Sequence, residues 1–111
     1  MSLDRQQDIH ENAVAKGFWP APNGPGTVDV NFILSKMCLL HSEVSEMMEA
    51  VRKRQGSDAI MAEAADIVIR LEDLIEGMYD HGWIDIHDLD LAVDYKMAHN
   101  TTRPRLHGNL V

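Results

Sequence analysis

A chain of 111 residues, 45% hydrophobic and 25% charged, has the composition of one folded domain and excludes disordered, collagen-like and disulfide-scaffold classes. Eighteen acidic residues against ten Lys and Arg give a net charge of −8, which argues against a partner held by its phosphate backbone, so no nucleic acid duplex is expected to bind. The single cysteine, Cys38, cannot close an internal disulfide, and no run approaches the roughly 18 apolar residues of a membrane span; a cytoplasmic protein without membrane contact is expected.

Residues 1–111 read as a single helical domain. Leu3 to Lys16 has helical spacing in Ile9 and Ala13, and Gly17 is placed as the residue after a helix end. Phe18 and Trp19 follow, leading into a loop of alternating Pro, Asn and Gly from Pro20 to Gly26. Two large aromatics there either anchor the loop on the core or line a pocket.

A second helix is expected from Asn31 to about Arg54, because Ile33, Met37, Leu40, Val44, Met47 and Val51 recur every three or four residues, with Asp29 or Asn31 as its cap. After Gln55, Gly56 and Ser57 a third helix runs from about Asp58 to Tyr79, carrying Ile60, Ala64, Ile67, Leu71, Leu74 and Met78 on one face. A link this short between two helices this long predicts an antiparallel hairpin roughly 30 Å in length. A fourth helix is expected from about Asp85 to His99 on the stripe Ile86, Leu89, Val93 and Met97, ended by Asn100 to Pro104. No alternating strand pattern or repeat is present. The fold class is therefore all-α, a bundle built on a long helix hairpin. The doubled apolar positions Leu39/Leu40 and Met47/Met48 exceed what one small protomer covers, so completion by oligomerisation is expected.

Acidic residues three apart occur as Glu43 and Glu46 in the second helix and as Glu63 and Asp66 in the third. In a chain this acidic the spacing alone carries little weight. Register carries more: the pairs 43/66 and 46/63 are both centred between residues 54 and 55, inside the expected turn, so an antiparallel hairpin sets all four at matching heights. Glu43 lies between Leu40 and Met47, and Glu63 between Ile60 and Ile67, which puts these acids beside the apolar stripe. Four carboxylates drawn together must protonate, pair with cations or bind a metal. A hard divalent cation suits carboxylate oxygens. The competing reading is a structural cluster neutralised by Arg70 and by Lys36 or Arg52.

Other chemistries lack their residues. No Glu-x-x-His for a di-iron bundle occurs, no helical His pair four apart suits zinc, and phosphate-binding Gly loops, a GxSxG elbow and CxxC pairs are absent.

At these residues the sequence resembles the MazG-like nucleoside triphosphate pyrophosphohydrolases of the all-α NTP pyrophosphatase superfamily. The resemblance rests on Glu43-Val-Ser-Glu46, on Glu63-Ala-Ala-Asp66, and on a tail, "YKMAHNTTRPRLHG", similar to that family's Lys-x-x-x-Asn-x-x-Arg ending; "KGFW" after the first helix is also family-like. It implies a homodimer or homotetramer in which Glu43, Glu46, Glu63 and Asp66 hold Mg2+, with Mn2+ as a substitute. It implies hydrolysis of nucleoside or deoxynucleoside triphosphates to monophosphate and pyrophosphate, as in house-cleaning of the nucleotide pool. Lys96, Asn100 and Arg103 are then candidate substrate contacts, Trp19 a candidate ring for the base, and Glu46 the candidate for orienting or deprotonating water. The rivals are a narrower relative acting on dUTP or phosphoribosyl-ATP, and a non-catalytic acidic helical module that binds a cation or a basic partner.

Overall fold

The computed structural model describes residues 3–22 and 28–102. It contains four helices, α1 (Leu3–Ala15), α2 (Val30–Arg52), α3 (Ser57–Asp80) and α4 (Leu89–Thr102), and no strand among the described residues. No helix among them is long and apolar enough to cross a membrane.

Each helix end has a local cause. α1 stops where Gly17 takes φ +82°, its N–H bonding Val14 O at 2.9 Å and that of Phe18 bonding Ala13 O at 3.0 Å. This paired arrangement satisfies the last carbonyls and needs a left-handed residue, which glycine adopts without steric cost. α2 is capped by Asp29, whose Oδ1 accepts from Phe32 N–H at 2.9 Å. Asp29→Ala is expected to cost about 1 kcal/mol of stability, read as a lower urea midpoint with unchanged slope; an unaltered midpoint would show the cap to be dispensable. At the other end of α2 the left-handed position is taken by Arg54, at φ +53°, so the link of residues 53–56 carries a modest backbone penalty before Gly56 opens α3.

α4 departs most from expectation. It begins at Leu89, four residues after the expected start, because Asp88 Oδ1 accepts from Leu91 N–H at 3.0 Å and so sets the cap there. It runs on to Thr102, the Thr101 and Thr102 hydroxyls donating back to Ala98 O and His99 O at 2.7 Å each. Its expected apolar stripe is not covered: α4 has no buried residue, and Ile86 lies outside the helix at 73% exposure.

α3 is the central element, packed against both α2 and α1. The core is small: Ala13, Trp19, Ile33 and Leu74 form its cluster, with Val28, Phe32 and Met78 packed on it. Much of the α2 stripe stays in solvent; Ile33 is buried, whereas Met37, Val44 and Val51 are exposed, as is Met48 beside them.

The joint between α1 and α3 is polar. Arg5 holds Glu72 with two donors, Gln6 Nε2 donates to Glu76 Oε1 at 2.8 Å, and His87 Nδ1 lies 2.6 Å from the same oxygen. Glu72, Asp73 and Glu76 are all buried, which acids tolerate only when paired. Through these contacts and the pairing of Asp73 with His10, the buried acids of α3 dock α1.

Candidate metal and substrate groove

A groove of about 400 Å³ opens where α1, α2 and α3 meet, floored by Asp73, walled by Ile9, Asn12 and Lys16, and bordered by Glu43 and Asp66. The amphipathic repeats place it: the stripes that turn Ile33 and Leu74 inward leave Glu43, Glu63 and Asp66 at the margin of the packed surface.

Glu43, Glu63 and Asp66 each offer a carboxylate oxygen, and these oxygens lie within 4.8 Å of one another. Glu43 and Glu63 are half-buried and Asp66 exposed. Glu46, the fourth expected acid, is exposed and outside this triad, one turn along α2 from Glu43. Its charge still reaches the site. Glu63 is held above the ordinary carboxylate range, first by desolvation, then by the neighbouring charges of Asp66, Glu46 and Glu43.

Of the three cations proposed to neutralise the cluster, only Arg70 arrives. Its Nε lies 3.4 Å from Glu43 Oε1, a long and partly exposed pair. Arg52 is spent on Glu49 within α2, and Lys36 donates to Phe18 O at 2.8 Å with its Nζ 4.8 Å from the Trp19 ring centroid. Among the described residues Arg70 makes the one ion pair with the triad, and three convergent carboxylate oxygens are a set that could hold a hard divalent cation.

A raised carboxyl pKa means that the folded state binds the proton more tightly than the unfolded chain. Without added metal, stability is therefore expected to increase as pH falls through the window between the ordinary glutamate value and Glu63's higher one. Melting temperature against pH checks this, and the rise should flatten in Glu63→Gln; an identical profile in the variant would contradict the assignment.

The two aromatics after α1 divide the roles left open in the sequence. Trp19 is 4% exposed; His81 stacks on it at 5.8 Å, Phe32 and His10 pack at 5.3 and 5.2 Å, and its Nε1 donates to both oxygens of Asp73 at 3.0 and 2.9 Å. Its ring is a core anchor with no face free for a base. Phe18 is 53% exposed and lines the groove. Among the described residues α4 contributes nothing to the lining. Lys96 is exposed, and Asn100 keeps a buried Oδ1 without a hydrogen-bond partner among the described residues. Arg103 lies outside the described residues.

Comparison with family models, with curated proteins and with solved structures finds no match to this chain.

Proposed function

We propose that this protein is a magnesium-dependent pyrophosphohydrolase that cleaves nucleoside or deoxynucleoside triphosphates to monophosphate and pyrophosphate, the activity implied by the MazG-like resemblance. One observation carries the reading: three carboxylates from two facing helices converge within 4.8 Å at the edge of a groove of substrate size. In this reading Glu43, Glu63 and Asp66 hold Mg2+ or Mn2+. A cation bound there supplies charge neutralisation on the phosphates and a lowered pKa for water.

The chain's own groups do the rest. Glu46, solvent-facing beside the triad, orients or deprotonates the attacking water. Lys16 and Arg70 border the groove and offset phosphate charge. Phe18 takes the stacking role first assigned to Trp19. Lys96, Asn100 and Arg103 remain proposed phosphate or sugar contacts; since α4 does not line the groove within one chain, they are proposed to reach it from a second copy. The hairpin of α2 and α3, with Val44, Met48 and Val51 exposed, offers the apolar surface for a homodimer or homotetramer. The exposed Cys38 suits a reducing cytoplasm.

The test is release of pyrophosphate and monophosphate from each canonical NTP and dNTP, with dUTP and phosphoribosyl-ATP included, in magnesium and in EDTA. Magnesium-dependent appearance of both products supports the reading and ranks the bases. Silence across the panel sinks it in favour of a non-catalytic acidic module, the reading favoured by the Arg70–Glu43 pair.

A further inference from the structure

His10 is 4% exposed and sits between two carboxylates of α3. Its Nδ1 lies 2.7 Å from Asp73 Oδ1. Its Nε2 lies 3.0 Å from Asp80 Oδ2, a contact close enough to pair by charge although not aligned as a hydrogen bond. Ionised carboxylates only accept, so a neutral imidazole would turn one lone pair of a buried ring toward negative charge; the protonated ring, with two N–H groups, suits both neighbours. From the segment after α1, the Trp19 indole closes the site at 5.2 Å and donates to the same Asp73. From α2, Lys36 Nζ lies 4.8 Å from the centroid of that indole, and His81 of the segment after α3 stacks on it. Ile9, Asn12 and Ala13, on the same helix as His10, and Lys16 directly after it line the groove.

We propose that protonated His10 is a positioning residue: its bridge to Asp73 and Asp80 fixes α1 and the Trp19 segment on α3, so that losing one proton loosens the groove wall without touching the carboxylate triad. The link to the groove rests on the function proposed above; the link to α1 docking does not. Burial opposes the charge on His10, and the hydrogen bond and charge of Asp73, then the charge of Asp80, outweigh it, so its pKa is raised. The sign follows: the docking contribution is complete below the ordinary histidine value, about 6.5, and is lost as pH rises through the higher folded value. Each pH unit of that window changes the docking equilibrium by a factor of about ten.

The experiment is a pH titration of the intact wild-type protein by NMR, following the His10 ring and the Trp19 Nε1–H together, with KM and kcat measured over the same range on the nucleotide turned over best. The expected result is a His10 midpoint above the ordinary value, a Trp19 Nε1–H shift on the same midpoint, and a KM that rises by up to about tenfold per pH unit between the ordinary value and that midpoint and levels off above it, while kcat changes less. His10→Gln is expected to show the high KM throughout, and His10→Lys to restore the low KM to higher pH. A His10 midpoint at or below the ordinary value, or a Trp19 signal that ignores it, overturns the positioning role whether or not the protein turns over nucleotides. Flat KM in an active protein overturns the coupling to the groove. Absence of turnover is a failure of the proposed function alone, and the NMR result then decides the role of His10 in docking.

Discussion

Glu63→Gln is expected to abolish magnesium-dependent turnover, by a factor of about 100 or more, and to leave the melting temperature in the absence of metal unchanged or higher. The first half follows from the triad. Glu63 is one of three carboxylates within 4.8 Å, and since even residues that only orient metal ligands change affinity or activity 10–100-fold, roughly that loss is the floor for a ligand itself. The second half follows from the repulsion that Asp66, Glu46 and Glu43 exert on Glu63: an uncharged isostere relieves it. Lost activity with retained stability is the signature of a site that gives up stability for function. A variant that loses both would point to a structural acidic cluster. Glu46→Gln separates roles within the site. It removes no member of the triad, so lost turnover with intact cation binding would assign Glu46 to the water, and full activity would exclude it.

The largest stability effect is expected at Trp19. Truncation to Ala removes the biggest side chain of a small core and strips Asp73 of its indole donor. A cost of about 3–5 kcal/mol is expected from the cavity alone, against a total of roughly 5–15 kcal/mol for a typical domain. Gly77→Ala attacks the same contact from the other side. A Cβ at Gly77 would overlap Cη2, Cζ2 and Cζ3 of the Trp19 ring, so the indole or α3 must shift, at a cost of about 1–3 kcal/mol or more. Urea unfolding of the two single variants and the double variant checks both values, and because the residues touch, the double variant should lose less than the sum. A loss below about 1 kcal/mol for Trp19→Ala would remove the indole from the core.

Much of this was legible in the sequence because it is encoded locally. The three- and four-residue apolar repeats of α2 and α3, the Asp29 cap and the Gly17 stop are each written within a few neighbouring residues, and helix ends follow such signals. Register matched Glu43 with Asp66 and Glu46 with Glu63, whereas the carboxylate group that the structure draws within 4.8 Å is Glu43, Glu63 and Asp66, with Glu46 outside it. What escaped was non-local. Arg5, Gln6 and His10 meet Glu72, Glu76 and Asp73 across 63 to 70 positions of chain, and nothing beside Asp73 marks it as buried. A usable hint was Gly77, four residues on from Asp73 in the interior of α3, where glycine costs helix stability unless something must approach closely. The division of labour between Phe18 and Trp19 was likewise unreadable, since adjacent side chains point apart and only the packing on Asp73 decides which goes inward. α4 was misplaced at its start because Asp85 and Asp88 are equally good caps by residue type.

The most direct test of the central claim is a 31P NMR time course of the wild-type protein with magnesium and its best nucleoside triphosphate, repeated with Glu63→Gln. The account predicts that the β- and γ-phosphorus signals are replaced by inorganic pyrophosphate while the α-phosphorus becomes a nucleoside monophosphate, and that neither change occurs in the variant or in EDTA. Orthophosphate with a nucleoside diphosphate, or equal turnover by Glu63→Gln, would contradict it.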